Sequence, residues 1–136
     1  MRKRTKAREI ALQMLYQIDA QGEEAIEGLE SHLGRSEAND AEIREFAAEL
    51  IHGTRGAVAE LDKAIAAAAK NWEIHRMAVV DRNILRMAVF EMIHVEEIPA
   101  KVSINEAIEL GKRYSTEQSG SFINGILDRI RRERGL

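Results

Sequence analysis

The stretch that decides the fold runs from residue 101 to residue 127, KVSINEAIELGKRYSTEQSGSFINGIL. Pro99 precedes it, and Ser103 with Glu106 forms the S-x-x-E pattern of a capping box, so a helix is predicted to begin at Ser103. Val102 and Ala107 stand where the hydrophobic staple of such a cap would pack. Two runs of small or apolar residues recur at helical spacing on either side of the polar turn 115–120: Ile104, Ala107, Ile108, Gly111, and then Ile123, Ile126, Leu127, Ile130. The stretch therefore predicts two amphipathic helices joined by a turn.

The same spacing predicts helices through the rest of the chain. The first is expected at about residues 5–20, and a short one follows that contains Ile26, Leu29 and Leu33 and ends at Gly34. Asn39 or Asp40 is expected to cap a longer helix that reaches Ile65. Gly53 and Gly56 predict a bend or a small-residue contact within it. The dipeptide Asn71-Trp72 is predicted to mark the change from the first half of the chain to the second. A short turn of helix is expected at 74–78. Asp81 then lies near the start of a central helix, where a carboxylate suits the helix dipole. The count is about seven helices.

Composition supports an all-α domain. The chain has 136 residues, 45% hydrophobic and 32% charged, with one proline and 4% aromatic residues, which disfavours strands. We expect a single domain over residues 1–136. Cysteine is absent, which excludes disulfides and Cys-ligated metals. Neither a signal peptide nor a stretch long enough to span a membrane is found, so a cytoplasmic protein is expected.

Charge is unevenly distributed, although the net charge is only −3. Residues 19–49 contain ten acids against two arginines, and the C-terminus is basic. The N-terminus carries five cations that are candidates for phosphate binding: Arg2, Lys3, Arg4, Lys6 and Arg8. Taken alone, such a cluster is more typical of a solvated, frayed end, but Tyr16 lies two helical turns beyond Arg8 on nearly the same side of the helix. A cation beside an aromatic face is what single-stranded nucleic acid binds.

Catalytic and metal-binding motifs are weak. The two E-x-x-H pairs, Glu49 with His52 and Glu91 with His94, match part of a di-iron carboxylate bundle, but no clear inward Glu pair completes the shell. Neither a nucleophile elbow nor a Walker-type loop occurs. We expect no enzyme activity, no cofactor and no metal.

Several conspicuous side chains have an ordinary structural explanation. Trp72 and Phe90 are predicted to be core or half-buried anchors. Arg82 and Arg86 are predicted to bond carbonyls or an acid such as Glu106. Phe122 opens the last helix, where it either fills the core or offers a face on which a base could stack.

Four motifs make the chain resemble the NusB family of bacterial transcription antitermination factors. These are AREIALQMLY, VDRNILRMAVFE, SINEAIELGKRY and SFINGILD, in this order along nearly the whole chain. The resemblance implies a three-helix N-terminal half packed on a four-helix C-terminal half. It also implies binding of single-stranded boxA RNA in nascent transcripts, including ribosomal RNA leaders, together with NusE, a small-subunit ribosomal protein. RNA polymerase and other Nus factors would be indirect partners.

The resemblance also implies roles for individual residues. The N-terminal cations would bind RNA, with Tyr16, Gln118 and Phe122 on the same side, and Tyr16 and Asp81 would lie near the partner protein. Gln118 stands where other members can carry an acid, and a neutral amide would repel RNA less. Whether the protein is a monomer or a homodimer is left open. The same fold occurs as an appended RNA-binding domain in rRNA cytosine methyltransferases, whose catalytic domain 136 residues could not hold.

Overall fold

The computed structural model describes residues 2–22, 24, 28 and 40–136. Within these residues there are six α-helices, one 3₁₀ turn and no strand, which confirms the all-α class. The predicted short helix with Ile26, Leu29, Leu33 and Gly34 lies outside the described residues. The elements are α1 Lys3–Gln21, α2 Ala41–Gly56, α3 Val58–Ala68, the 3₁₀ turn Ile74–Arg76, α4 Val79–His94, α5 Ala100–Tyr114 and α6 Ser119–Arg134.

The chain divides into two compact units, Met1–Gly53 and Thr54–Leu136. The predicted boundary at residues 71–72 is therefore too late. The reason is α3, which packs against α4 and α6 and so belongs to the second unit. Leu61 and Ile65 on α3 are fully buried, and its alanines allow neighbouring helices to approach closely.

The first unit contains α1 and most of α2. Helix α1 ends at Gly22, whose φ of +84° favours glycine. Asp40 caps α2 as predicted, because its Oδ1 accepts hydrogen bonds from the N–H groups of Glu42 at 2.9 Å and Ile43 at 3.3 Å. The apolar faces of the two helices are buried through Ala7, Ala11, Leu12, Met14, Leu15, and through Ile43, Phe46, Ala47, Leu50.

Helix α4 is the centre of the second unit, as its broad apolar stripe predicts. It packs against α3, α5 and α6, and ten of its residues are buried. Arg86 on α4 pairs with Asp62 on α3 through two hydrogen bonds of 2.7 and 2.9 Å. Arg82 donates to the carbonyl of Ile74 at 3.3 Å. Both arginines therefore have the kind of partner that the sequence predicts, a carbonyl for Arg82 and an acid for Arg86.

Helices α5 and α6 pack closely at Gly111. A Cβ at this position would lie 2.7 Å from Cδ1 of Ile123, so the absence of a side chain lets the two helices meet. The inward residues of α6 are those predicted from its stripe: Ile123, Ile126, Leu127 and Ile130.

The capping box predicted at Ser103 and Glu106 does not form. Helix α5 begins at Ala100, with Pro99 at the N-cap position and no side-chain cap. Ser103 lies inside the first turn, and its hydroxyl donates to Oε1 of buried Glu91 at 3.0 Å. The predicted staple is also wrong, since Val102 is exposed. The buried carboxylate on α4 needs a donor, and this tertiary demand overrides the local pattern.

We predict that Ile126→Ala destabilises the protein by roughly 2–5 kcal/mol, because the buried side chain leaves a cavity between packed helices. Asn124→Ala, an exposed change on the same helix, should shift the free energy of unfolding by less than about 0.5 kcal/mol. Urea denaturation measures both. Equal losses would mean that α6 does not pack through Ile126.

We also predict that Ser103→Ala costs about 1–3 kcal/mol, because Glu91 loses a buried hydrogen-bond donor. The matched control is Ser121→Ala, which is exposed in the first turn of α6. Thermal unfolding compares the two variants. A neutral Ser103→Ala would show that the Ser103–Glu91 bond contributes nothing to stability.

Candidate nucleic-acid interface

The N-terminal cations differ in their exposure to solvent. Arg2 and Lys3 are exposed. Nζ of Lys3 lies 3.1 Å from Oδ2 of Asp40 and 3.3 Å from Oε2 of Glu42. The hydrogen bond to Asp40 raises the pKa of Lys3, and the bond from Lys3 lowers the pKa of Asp40. Lys3 therefore stays charged beside half-buried Asp40 and exposed Glu42.

Arg4 and Arg8 both lie against one aromatic ring. Their guanidinium carbons are 4.5 Å and 5.4 Å from the centre of the Phe46 ring, within the range of a cation–π interaction. Arg8 is only 3% exposed, whereas Arg4 and Lys6 are half-buried. The five cations thus run from exposed Arg2 to buried Arg8, and their predicted contacts with RNA stay predictions.

Tyr16 is 42% exposed on α1. Because Arg8 is buried, Tyr16 and Arg8 do not form the shared exposed surface that the sequence suggests. The roles of Tyr16 toward RNA and toward a partner protein also stay predictions.

The second unit contains a cavity of about 260 Å³ where the start of α4 meets the start of α6. It brings together Gln118 and Phe122, predicted for RNA, and Asp81, predicted for the partner protein. No sequence motif predicted this meeting of the two groups. The lining residues are Trp72, Met77, Ala78, Asp81, Thr116, Gln118, Ser119 and Phe122.

A polar network beside the cavity is centred on the hydroxyl of Ser119. This hydroxyl donates to Oδ2 of Asp81 at 3.1 Å and lies 2.9 Å from Oγ of Ser115. The N–H and hydroxyl of Thr116 lie 3.1 Å and 3.0 Å from it. The network ties the 115–118 turn and the start of α6 to the first turn of α4. The other oxygen of Asp81, Oδ1, is buried and has no hydrogen-bond partner.

Trp72 is a candidate binding residue that the sequence analysis missed. The prediction of a core or half-buried anchor is right for Phe90, which is buried, but wrong for Trp72, which is 54% exposed. Its ring packs edge-on against Phe122, with ring centres 5.6 Å apart and planes at 74°. The available signal was its polar setting, since Lys70, Asn71 and Glu73 surround it in the sequence.

Two of the four groups considered for metal binding, Glu91 and His94, have other partners. Glu91 accepts from Ser103, and Nε2 of His94 lies 2.6 Å from Oε1 of Glu60. Among the described residues, no group of three or more His, Asp or Glu side chains could hold a metal ion. In the same part of the chain, no helix combines the length and apolar character needed to cross a membrane.

Comparison with known proteins gives a consistent result. The sequence model of the NusB family matches residues 5–132. The transcription antitermination protein NusB of Geobacter sulfurreducens is 50% identical over 127 residues, which are 93% of this chain and 92% of that protein.

Two solved structures are similar in fold as well. NusB of T. maritima is 38% identical with a TM-score of 0.86, covering 96% of this chain and 91% of that one. A chain in a crystal structure of the antitermination factors NusB and NusE in complex with dsRNA is 30% identical with a TM-score of 0.85, covering 98% of both chains. The match in sequence and fold extends over almost the whole molecule, and the chain belongs to the NusB family.

Proposed function

We propose that this protein is a bacterial transcription antitermination factor that binds boxA RNA together with NusE. The observation that carries the proposal is the similarity, over 98% of both chains, to a chain of the NusB–NusE complex with dsRNA. The pair would join RNA polymerase with other Nus factors and suppress termination. In this role the protein acts in the cytoplasm as a single binding domain and catalyses no reaction.

The N-terminus supplies the electrostatic part of RNA binding in this proposal. Arg2, Lys3, Arg4 and Lys6 contact phosphates directly. Lys3 leaves Asp40 and Glu42 when it does so, which is a small loss because exposed ion pairs contribute little to stability. Buried Arg8 acts as a positioning residue, because it holds the Phe46 ring against which Arg4 also lies.

The start of α6 supplies the second RNA-binding surface. Gln118 precedes the helix and is exposed, and the helix N-terminus favours negative charge. A neutral Gln118 does not repel phosphate, whereas an acid at this position would. The half-buried ring of Phe122 lies within the first turn and is available for a base to stack on.

The partner surface is acidic in this proposal. Glu42, Glu45 and Glu49 are exposed on α2 at helical spacing, and Tyr16 is exposed on α1. A basic partner is attracted to such a stripe, and by covering it the partner lowers the repulsion that RNA meets.

We predict that binding of a boxA RNA oligomer weakens as the salt concentration rises. For four phosphate contacts to single-stranded RNA, the logarithm of the association constant should fall against the logarithm of the salt concentration with a slope of about −3. In the double variant Arg2→Gln, Lys3→Gln this slope should become less negative by about 1.4, because two phosphate contacts are lost. Fluorescence anisotropy over a range of salt concentrations measures both slopes.

The control for net charge is Lys63→Gln, Lys101→Gln, which removes two exposed cations from the second unit. This variant should keep the slope of the unaltered protein. Equal slopes for all three proteins would show that the N-terminus does not contact the RNA.

We also predict that NusE and boxA RNA bind cooperatively, and that each raises the affinity of the other by the same factor because binding free energies are linked. The measurement is titration with each ligand in the presence and absence of the other, beside a scrambled RNA. Independent binding, or equal affinity for the scrambled RNA, would contradict the joint recognition of boxA.

A further inference from the structure

We propose that Asp40 and Glu42 form an autoinhibitory contact with Lys3, in which two carboxylates of α2 bind the ammonium group that an RNA phosphate must reach. All three residues belong to the first unit. RNA therefore binds this part of the N-terminus by displacing an internal anion rather than by meeting a free cation. This inference rests on the proposed RNA-binding function and adds to it a device that lowers the affinity for RNA.

The first observation is that one ammonium group is shared by two acids of another helix. Nζ of Lys3, at the start of α1, lies 3.1 Å from Oδ2 of Asp40 and 3.3 Å from Oε2 of Glu42. The two carboxylates give the cation the kind of charge-assisted contacts that phosphate oxygens would give it. A phosphate that approaches while both acids stay in place meets two negative charges beside one positive charge, so repulsion opposes its binding.

The second observation is that Asp40 is held in place by the helix that it caps. Its Oδ1 accepts hydrogen bonds from the N–H groups of Glu42 at 2.9 Å and Ile43 at 3.3 Å, while its Oδ2 faces Lys3. The carboxylate cannot turn away from the N-terminus without losing these cap bonds. The exposed Lys3 side chain is therefore the part that moves when RNA binds.

The charges of the contact are present at neutral pH. The hydrogen bonds to Asp40 and Glu42 raise the pKa of Lys3, and the hydrogen bond from Lys3 lowers the pKa of Asp40. Both shifts favour the charged forms. The contact is nevertheless weak enough for RNA to break, because Lys3 and Glu42 are exposed and salt screens exposed ion pairs.

The alternative role for the two acids is to hold Lys3 in the position that phosphate requires. The two roles predict opposite effects when the acids are removed, because RNA affinity rises if they compete with phosphate and falls if they position Lys3. Competition is favoured because Asp40 and Glu42 bond the ammonium group itself, which is the group that contacts phosphate.

The test measures binding of a boxA oligomer to the full chain without NusE, since Glu42 also belongs to the acidic surface proposed for the partner. Asp40→Asn, Glu42→Gln removes both charges, and Asn keeps the cap because its side-chain oxygen accepts the same hydrogen bonds. At low salt we expect an affinity about three- to tenfold higher than that of the unaltered protein. The gain should shrink as salt rises. Unfolding curves would verify that the variant folds.

A double-mutant cycle shows whether the acids act through Lys3. Lys3→Gln alone should lower the affinity for RNA. In the Lys3→Gln background, the gain from Asp40→Asn, Glu42→Gln should fall to about a third or less, because only repulsion remains and no ion pair has to be broken. The matched control is Glu45→Gln, Glu49→Gln, which removes two exposed acids further along α2. Its gain should be smaller, and it should be the same in both backgrounds.

The outcomes separate the two proposals. Equal gains in both backgrounds, or no gain at all, overturn the autoinhibitory contact and leave boxA binding standing. A loss of affinity in a folded Asp40→Asn, Glu42→Gln variant overturns it in favour of a positioning role for the acids. If no protein prefers boxA to the scrambled RNA, the proposed function is wrong, whereas a gain that depends on Lys3 with either RNA still supports the contact. Absence of binding to either RNA overturns both.

Discussion

The second unit depends on one constraint, which is that α4 is enclosed by three other helices and must satisfy its polar groups inside the protein. Each polar bond ties α4 to a different neighbour. Arg86 bonds Asp62 on α3, Glu91 accepts from Ser103 on α5, and Asp81 accepts from Ser119 on α6. Apolar packing brings the helices together, and these bonds fix their register, because a buried charge or carboxylate without its donor costs more than the bond itself contributes.

The same constraint explains where sequence reasoning succeeded and where it failed. Helical spacing identified α4 and the inward face of α6, since burial follows a period that the sequence shows directly. The cap at Asp40 could also be predicted because it involves only its own helix. Ser103 could not be placed in this way. The S-x-x-E pattern is present in the sequence, but the Ser103 hydroxyl donates instead to the carboxylate of Glu91, twelve positions away. A local pattern does not show which distant group competes for it.

The candidate site shows the same limit more clearly. The resemblance to the NusB family pointed to Gln118, Phe122 and Asp81, and Phe122 was also marked by its position at a helix start. Their meeting in one cavity is a property of how α4 and α6 pack, which no single motif records. Trp72 is predicted to be a core or half-buried anchor because tryptophan is usually well buried, but its neighbours in the sequence are polar and its side chain is exposed.

The charged groups of the two units differ in exposure. In the first unit, Arg2 and Lys3 are exposed, so any attraction that they exert on a phosphate chain is independent of sequence and is screened by salt. In the second unit, the carboxyl group of Asp81 is buried and accepts a hydrogen bond from Ser119, so it contributes to the packing of α4 against α6. In the proposed function, we therefore expect the electrostatic part of RNA binding to come from the N-terminus rather than from the start of α4.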